Sequence, residues 1–245
     1  MDTCTIRASI AMAVYNGEKY ISEQIESIRK LLEKNDEIVV SYDNSDDNTL
    51  EIINNFVSID SRIRVVFDEG KSVESNFNTA VLNCKGKYIF LADQDDVWIN
   101  DKVNKMCDYF DNHPKTVVLI GNGYTVDKDL NIKDDLFKLF KVSTNPIHNF
   151  VKGTYLGCQM AFVSKIKDLV WPVRVSPPLP HDLWLGIFSA FYGEIDLFKD
   201  YTILHRLHDN NYTLTSKMSL INVIKNRILF FNTLVYQFVK NLKKK

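Results

Sequence analysis

Apolar residues recur along this chain in two rhythms that alternate. From Ile6 to Val14 they alternate with polar ones and then run on unbroken, the pattern of a strand buried on both faces. Tyr15-Asn16-Gly17 then turns the chain, and Ile21, Ile25, Ile28 and Leu32 return at helical spacing on one face. The pair of rhythms repeats as a strand at 37–42 and a helix pointing Leu50, Ile53, Phe56 and Val57 inward. It repeats again as a strand at 63–67 and a helix with Val73, Phe77, Ala80, Val81 and Cys84 on one side. Gly86 leads into a fourth apolar run, Tyr88 to Ala92. Strand and helix in strict alternation predict right-handed crossovers and a parallel sheet covered on both faces.

Beyond residue 100 the rhythm loosens. A helix from Asp101 presents Val103, Met106, Cys107 and Phe110 and stops at His113-Pro114, and Thr116 to Ile120 reads as a buried strand. Residues 127–152 are polar and weakly patterned, which fits a lid or substrate loop. Gly157 to Phe162 is a short buried element, 171–180 is irregular, and Asp182 to Tyr192 is an aromatic-rich helix. Two separate strands, 195–198 and 201–204, follow. From Leu220 to Leu242 the period is helical, with Leu220, Val223, Ile224, Ile228, Phe231, Leu234, Val235 and Phe238 on a broad face before Lys243-Lys244-Lys245. Two readings fit that helix: packed on the domain with a frayed tail, or lying on an anionic membrane surface.

Composition narrows the class. In 245 residues, 45% hydrophobic content is enough for a full core and argues against disorder, and a net charge of −1 gives no global field for a nucleic acid. Cys4, Cys84, Cys107 and Cys158 form no C-x-x-C pair, and Cys84 and Cys107 fall on apolar helix faces as buried thiols of a reducing compartment. No basic segment followed by an apolar run opens the chain, and no apolar stretch reaches spanning length. The expectation is a cytoplasmic protein, with peripheral contact at the inner membrane face under the second reading of its last helix.

The chemistry concentrates where the fourth strand ends. Ala92-Asp93-Gln94-Asp95-Asp96-Val97-Trp98 packs three carboxylates into four positions at the edge where open α/β sheets bind ligands. Their mutual repulsion calls for a cation, and oxygen ligands suit Mg²⁺ or Mn²⁺. An acidic turn capping the next helix is the plainer alternative.

Six segments in order resemble the family 2 glycosyltransferases, nucleotide-sugar enzymes of the GT-A fold. They are residues 9–21 (first strand and turn), 41–49, the metal-type motif at 92–98, and 157–162, 181–186 and 205–211, the last three similar to a subgroup containing rhamnosyltransferases. The resemblance implies an α/β GT-A fold: Rossmann-like, with a mostly parallel central sheet flanked by helices, and here a C-terminal amphipathic helix. Residues 1–215 would form the transferase domain, 1–100 its nucleotide-binding half and 101–215 its acceptor-side half, with 216–245 the helix and basic tail.

Position by position, the resemblance implies that Ala13 and Tyr15 hold the nucleotide base, Tyr15 by stacking. It makes Asp43 the acceptor for the imide N–H of uracil or thymine. Asp95 becomes the principal metal ligand and Asp93 its partner on metal or ribose. Gln94 falls with the nucleotide-binding residues, Asp182 matches the catalytic base, and His208 reaches the metal or diphosphate. Read without the family, Asp182 fits a helix N-cap, Asp43 a turn former, Tyr15 a core aromatic and His208 a surface histidine; His205 has no independent case. Two departures stand out: Tyr42 replaces an acid and Asn44 replaces a glycine.

The implied function is inverting, metal-dependent transfer of a sugar from a dTDP- or UDP-sugar, with dTDP-rhamnose foremost and a UDP-hexose the alternative. The acceptor would be a cell-surface polysaccharide or lipid-linked oligosaccharide. Two other classes are a non-catalytic nucleotide-sugar-binding protein and a metal-dependent phosphohydrolase or nucleotidyltransferase. The latter would ordinarily show a P-loop or a second set of metal ligands, and the sequence shows neither.

Overall fold

A computed structural model describes residues 6–70, 72–174, 179–208 and 220–242. The first hundred residues run β1 (Ala8–Val14), α1 (Ile21–Arg29), β2 (Glu37–Asp43), α2 (Thr49–Ile59), β3 (Ile63–Asp68), α3 (Val73–Asn83) and β4 (Tyr88–Ala92). Strands β3, β2, β1 and β4 pair in that order, all parallel. Every residue of β2 and β4 is buried, as expected of strands sandwiched between helix layers. Ile21, Ile25 and Ile28 pack with Ile10, Met12 and Phe90 on one face of the sheet, whereas Phe77, Ala80 and Val81 pack with Ala11, Val39 and Leu91 on the other. Val73, expected inward, is 39% exposed because it opens the first turn of α3.

The second half continues with β5 (Val97–Trp98), α4 (Lys102–Asn112), β6 (Thr116–Val126), β7 (Ile132–Asp135), α5 (Leu136–Phe140) and α6 (Pro146–Lys152). A 3-10 turn at Gly157–Gln159 leads to β8 (Met160–Val163), then α7 (Lys167–Val170), α8 (His181–Ser189), β9 (Glu194–Arg206) and α9 (Leu220–Leu242). The parallel rule breaks at β8, which lies antiparallel between β4 and β6. The sheet therefore reads β3-β2-β1-β4-β8-β6-β9-β5, with β7 paired to β6. The stretch expected as a lid at 127–152 holds β7, α5 and α6, and Leu136 within it is fully buried.

The two strands expected at 195–198 and 201–204 are one. β9 runs parallel to β6 along its whole length, and the register slips beside Gly121, Asn122 and Gly123. A Cβ on Gly121 would sit 2.5 Å from Thr202 Oγ1, and one on Gly123 2.5 Å from the Ile203 carbonyl. The missing side chains let β9 bend close over β6 at Lys199-Asp200, a polar pair that reads as a break. The bend lets β9 pair antiparallel with β5 and deliver its end to the carboxylates after β4.

Helix α9 has the predicted bounds, but its apolar face divides. Phe230 is buried, with its ring 5.6 Å from Trp184 and 5.9 Å from Phe150, and Asn241 donates to the Leu169 carbonyl at 3.1 Å. Ile224, Ile228, Phe231 and Val235 are each about half exposed. Cys84, Cys107 and Cys158 are free and buried; Cys4, residues 209–211 of the last motif and the terminal lysines lie outside the described residues.

Candidate active site

The carboxyl ends of β1, β2 and β4 form one edge. Met12 lies level with Ala92 across β1 and β4, so Ala13 and Asp93 leave the sheet side by side. Ala13 is level with Ser41 on β2, and Asp43 ends β2 level with Asp68 on β3. The two edge carboxylates differ in use. Asp68 Oδ1 accepts from Ser75 Oγ and Thr79 Oγ1 at 2.9 and 2.7 Å, and Oδ2 from the Gly70 N–H at 3.1 Å, so it braces the turn into α3. The Asp43 carboxylate, in an 8% exposed residue, has no side-chain hydrogen bond among the described residues.

The loops after β1 and β2 brace each other. Asn16, in the left-handed region at φ 48°, donates its N–H to Ser45 Oγ and accepts from the Asp46 N–H, at 3.0 and 2.9 Å. Gly17 N donates to Thr49 Oγ1 at 2.8 Å. Tyr42, where the family carries an acid, accepts from the Ser45 N–H through its hydroxyl at 3.0 Å, so the departure stiffens the same loop. Asn44 stays outside the left-handed region, so the loop makes no demand that only glycine meets easily.

Gln94 is joined to Tyr15 by two bonds: Tyr15 N donates to Gln94 Oε1 and Gln94 Nε2 donates to the Tyr15 carbonyl, both at 2.8 Å. A Cβ on Gly17 would lie 2.7 Å from Gln94 Oε1, which is why this turn takes glycine. Tyr15 itself is half exposed at the rim, not the core aromatic that the sequence also allowed.

Behind the rim sit the acids. Asp95 Oδ2 lies 2.8 Å from His208 Nε2, and the His208 ring stacks on Tyr20 at 5.2 Å. The Asp93 carboxyl is held well above the usual carboxylate range, first by burial and then by the neighbouring charges of Asp96 and Asp95. The expected ligands Asp95, Asp93 and His208 are not brought within 4.8 Å of one another as a group; Asp95 and His208 meet, and Asp93 adds its charge nearby.

Asp96 points elsewhere. Its buried Oδ1 meets His205 Nδ1 at 2.9 Å and accepts from the Arg206 N–H at 3.1 Å, and Cys158 Sγ lies 3.8 Å from the same histidine nitrogen. Among the described residues, Asp96, Cys158 and His205 are the one group of three whose ligand atoms lie close enough together to hold a metal ion, within 4.8 Å of one another; the imidazole and the Arg206 amide use Asp96 Oδ1, while its buried Oδ2 has no hydrogen-bond partner. Burial alone would favour neutral histidine; the Asp96 carboxylate more than offsets it and raises the His205 pKa.

Two buried cations complete the surroundings. Arg206 donates to the Asp95 carbonyl at 3.0 Å, the Lys128 carbonyl at 2.7 Å and the Glu23 carboxylate, and lies over the Tyr20 ring. Lys102 Nζ donates to the Cys158 carbonyl at 2.8 Å over the Trp98 ring, and burial lowers its pKa to about 8. Sequence reasoning missed Asp96, His205, Arg206 and Lys102 as positioning groups. The only local signal was charge inside otherwise apolar elements, as at Arg206 ending β9.

Across the cleft, α8 opens with Pro180 as its cap, so Asp182 is a first-turn residue and not the N-cap. Its Oδ1 accepts from the Leu183 N–H at 2.6 Å. Burial nevertheless pushes its carboxyl up to about 6, offsetting the helix-end stabilisation that works against a base. Asp182 also contributes to the elevation of Asp93, which places the two carboxylates in one electrostatic field. Next to it, the His181 ring stacks on Phe77 at 4.1 Å, and its Nε2 fills the space a Cβ on Gly157 would need.

Comparison with known proteins gives the family and the fold. Residues 9–168 match the family model for glycosyl transferase family 2. An uncharacterised glycosyltransferase of Methanocaldococcus jannaschii is 25% identical over 258 residues, spanning 94% of this chain and 88% of its own. The Escherichia coli UDP-Glc:alpha-D-GlcNAc-diphosphoundecaprenol beta-1,3-glucosyltransferase WfaP is 28% identical over 186 residues, covering 74% of this chain and 70% of that protein. The crystal structure of S. aureus TarS 1–349 in complex with UDP-GlcNAc superposes with a TM-score of 0.68 at 19% identity, over 91% of this chain and 66% of the longer TarS chain. That likeness shows the fold, the GT-A architecture with its curled mixed sheet. The family model covers well over half of the sequence, and the chain therefore belongs to glycosyl transferase family 2.

Proposed function

We propose that this glycosyltransferase moves a sugar, with inversion, from a uridine or thymidine diphosphate donor to a glycan or lipid-linked acceptor. The observation that supports the reading is the placement of Asp93 and Asp95 just after β4, at the edge shared with β1 and β2, with His208 on Asp95 and Asp182 acting electrostatically on Asp93. Asp43, whose carboxylate has no hydrogen-bond partner among the described residues, is a ready acceptor for the imide proton of uracil or thymine. Tyr15, held in place by Gln94, supplies the stacking surface at the rim, and Ala13 leaves room beside it.

Bound at Asp95, Asp93 and His208, Mg²⁺ or Mn²⁺ would supply positive charge to the departing diphosphate. Asp182 takes the proton of the acceptor hydroxyl as that oxygen attacks the anomeric carbon from the face opposite the leaving group. One base suffices, because this route passes through no covalent enzyme intermediate.

On the donor sugar, the motif resemblance supports dTDP-rhamnose, and the names of WfaP and TarS's ligand support a UDP-hexose or its N-acetyl relative. WfaP's diphosphoundecaprenol acceptor supports a lipid-linked acceptor at the inner membrane face, with residues 1–100 serving the donor and 101–215 the acceptor. A thermal-shift panel of UDP-, dTDP- and GDP-sugars with Mn²⁺ tests the donor side, since a ligand that binds only the native state raises the melting temperature. Uracil and thymine nucleotides stabilise and guanine ones do not; equal responses remove the role given to Asp43. Donor turnover that releases nucleoside diphosphate without monophosphate separates glycosyl transfer from phosphohydrolase chemistry.

A further inference from the structure

The seven Lys and Arg of residues 210–245 have no Asp or Glu among them, while the 209 residues before carry the other 23 bases against all 31 acids. The chain's near-neutral total thus hides a C-terminal segment of +7 on a body of −8. Helix α9 lies in that segment. Its packed side is Val223, Arg227, Phe230, Leu234, Gln237 and Asn241, of which Phe230 and Asn241 are buried.

One step around the helix, Ile224, Ile228, Phe231, Val235, Phe238 and Leu242 recur at alternating spacings of four and three and are 39% to 57% exposed. Six large apolar side chains in one line exceed the scattered exposure a soluble surface usually shows. The line is extended at one end by Phe191, 59% exposed with its ring 5.5 Å from Phe238. On the flank away from the packed side the period places Lys225, Asn232 and Tyr236.

We propose that this stripe docks α9 on an anionic lipid surface, lying in the plane of the interface. The apolar line enters the headgroup boundary, Lys225 on its outer flank meets the lipid phosphates, and the +7 charge of the segment draws it to an anionic surface. Charge decides against a second copy of the same helix. Paired helices with apolar seams match acids to bases along their edges, and α9 offers bases alone, so two copies would repel. No helix among the described residues is long and apolar enough to cross a membrane, so the helix lies on the surface and does not span it. The inference uses only α9 and its charge and stands apart from the transferase reading.

The test is co-sedimentation of the full chain with vesicles of phosphatidylglycerol and phosphatidylcholine in equal parts, and with phosphatidylcholine alone. The chain binds the mixed vesicles at least tenfold more tightly than the neutral ones, and the binding weakens at 0.5 M salt. Phe231→Ser with Val235→Ser, both at exposed positions, and separately Lys225→Glu, each reduce it at least tenfold while the melting temperature stays unchanged. Equal binding to both vesicle types, or none to either, overturns the proposal. So does a stable dimer in sedimentation velocity that the Phe231 and Val235 substitutions dissolve. Donor turnover without vesicles is read separately, so failure of the docking leaves the transferase assignment to its own test.

Discussion

His205 Nδ1 lies 2.9 Å from the buried Oδ1 of Asp96, and the same oxygen accepts the Arg206 N–H, so one carboxylate holds the end of β9 against the loop that follows β4. Asp95, the next residue back, faces the other way and meets His208. Adjacent aspartates thus differ in partner: Asp96 anchors the end of β9, and Asp95 pairs with His208.

The anchor predicts a stability phenotype. Asp96→Asn leaves a buried imidazole without its counter-charge, and breaking such a pair costs about 3 kcal/mol or more; Asp95→Asn, at the cleft, costs about 1 kcal/mol or less. The pH dependence follows from the two shifts. The raised His205 pKa contributes stability in full below the ordinary histidine value of 6.5 and loses it as pH climbs through about 9. The lowered Asp96 pKa contributes in full above the ordinary 3.8 and loses it as pH falls below. Melting curves of wild type and Asp96→Asn from pH 4 to 10 should therefore differ most between about 4 and 6.5 and converge towards pH 10. A gap that widens with rising pH contradicts the pairing.

Asp182→Asn is expected to keep donor binding and lose transfer by about 10²–10⁴-fold, the usual worth of a positioned general base. The base must be deprotonated, so the wild-type rate falls as pH drops through about 6 and is flat above it. A variant with full activity, or a profile whose acid limb sits near pH 4, removes Asp182 from the chemistry.

Gln94 offers a subtler check. Gln94→Ala removes two hydrogen bonds to the Tyr15 backbone, about 1–2 kcal/mol in all. The expected result is roughly a tenfold rise in donor KM with kcat little changed, because the rim loosens and the base does not. Isothermal titration with the nucleoside diphosphate measures the same loss without turnover; unchanged affinity indicates that Tyr15 holds its place without the amide.

Much of the first half was legible because its contacts are local in pattern. Ile21, Ile25 and Ile28 announce a helix and its inner face, and the run from Tyr88 to Ala92 announces a strand buried on both sides. Pairings between distant positions left no such trace. Asp96 and His205 are 109 residues apart, and neither carries a spacing that names the other. The continuity of β9 was hidden for a related reason. Lys199-Asp200 looks like a loop until Gly121 and Gly123 on the neighbouring strand are seen to make room for the bend. On α9 the helical period was readable but the docked side was not, since Phe230 and Phe231 are equally apolar and only packing against Trp184 buries one of them.

Arg206 has a consequence for anyone recombining this enzyme with its relatives. Its guanidinium joins Glu23 of α1, the carbonyl of Lys128 and the carbonyl of Asp95, three places brought together by one side chain. A chimera cut near residue 100 inherits the arginine from one parent and its partners Glu23, Tyr20 and Asp95 from the other. Such hybrids will assemble a working cleft only where both parents keep matching partners around that guanidinium, so shuffling for new specificity should carry Glu23, the motif at 92–98 and the end of β9 as one cassette.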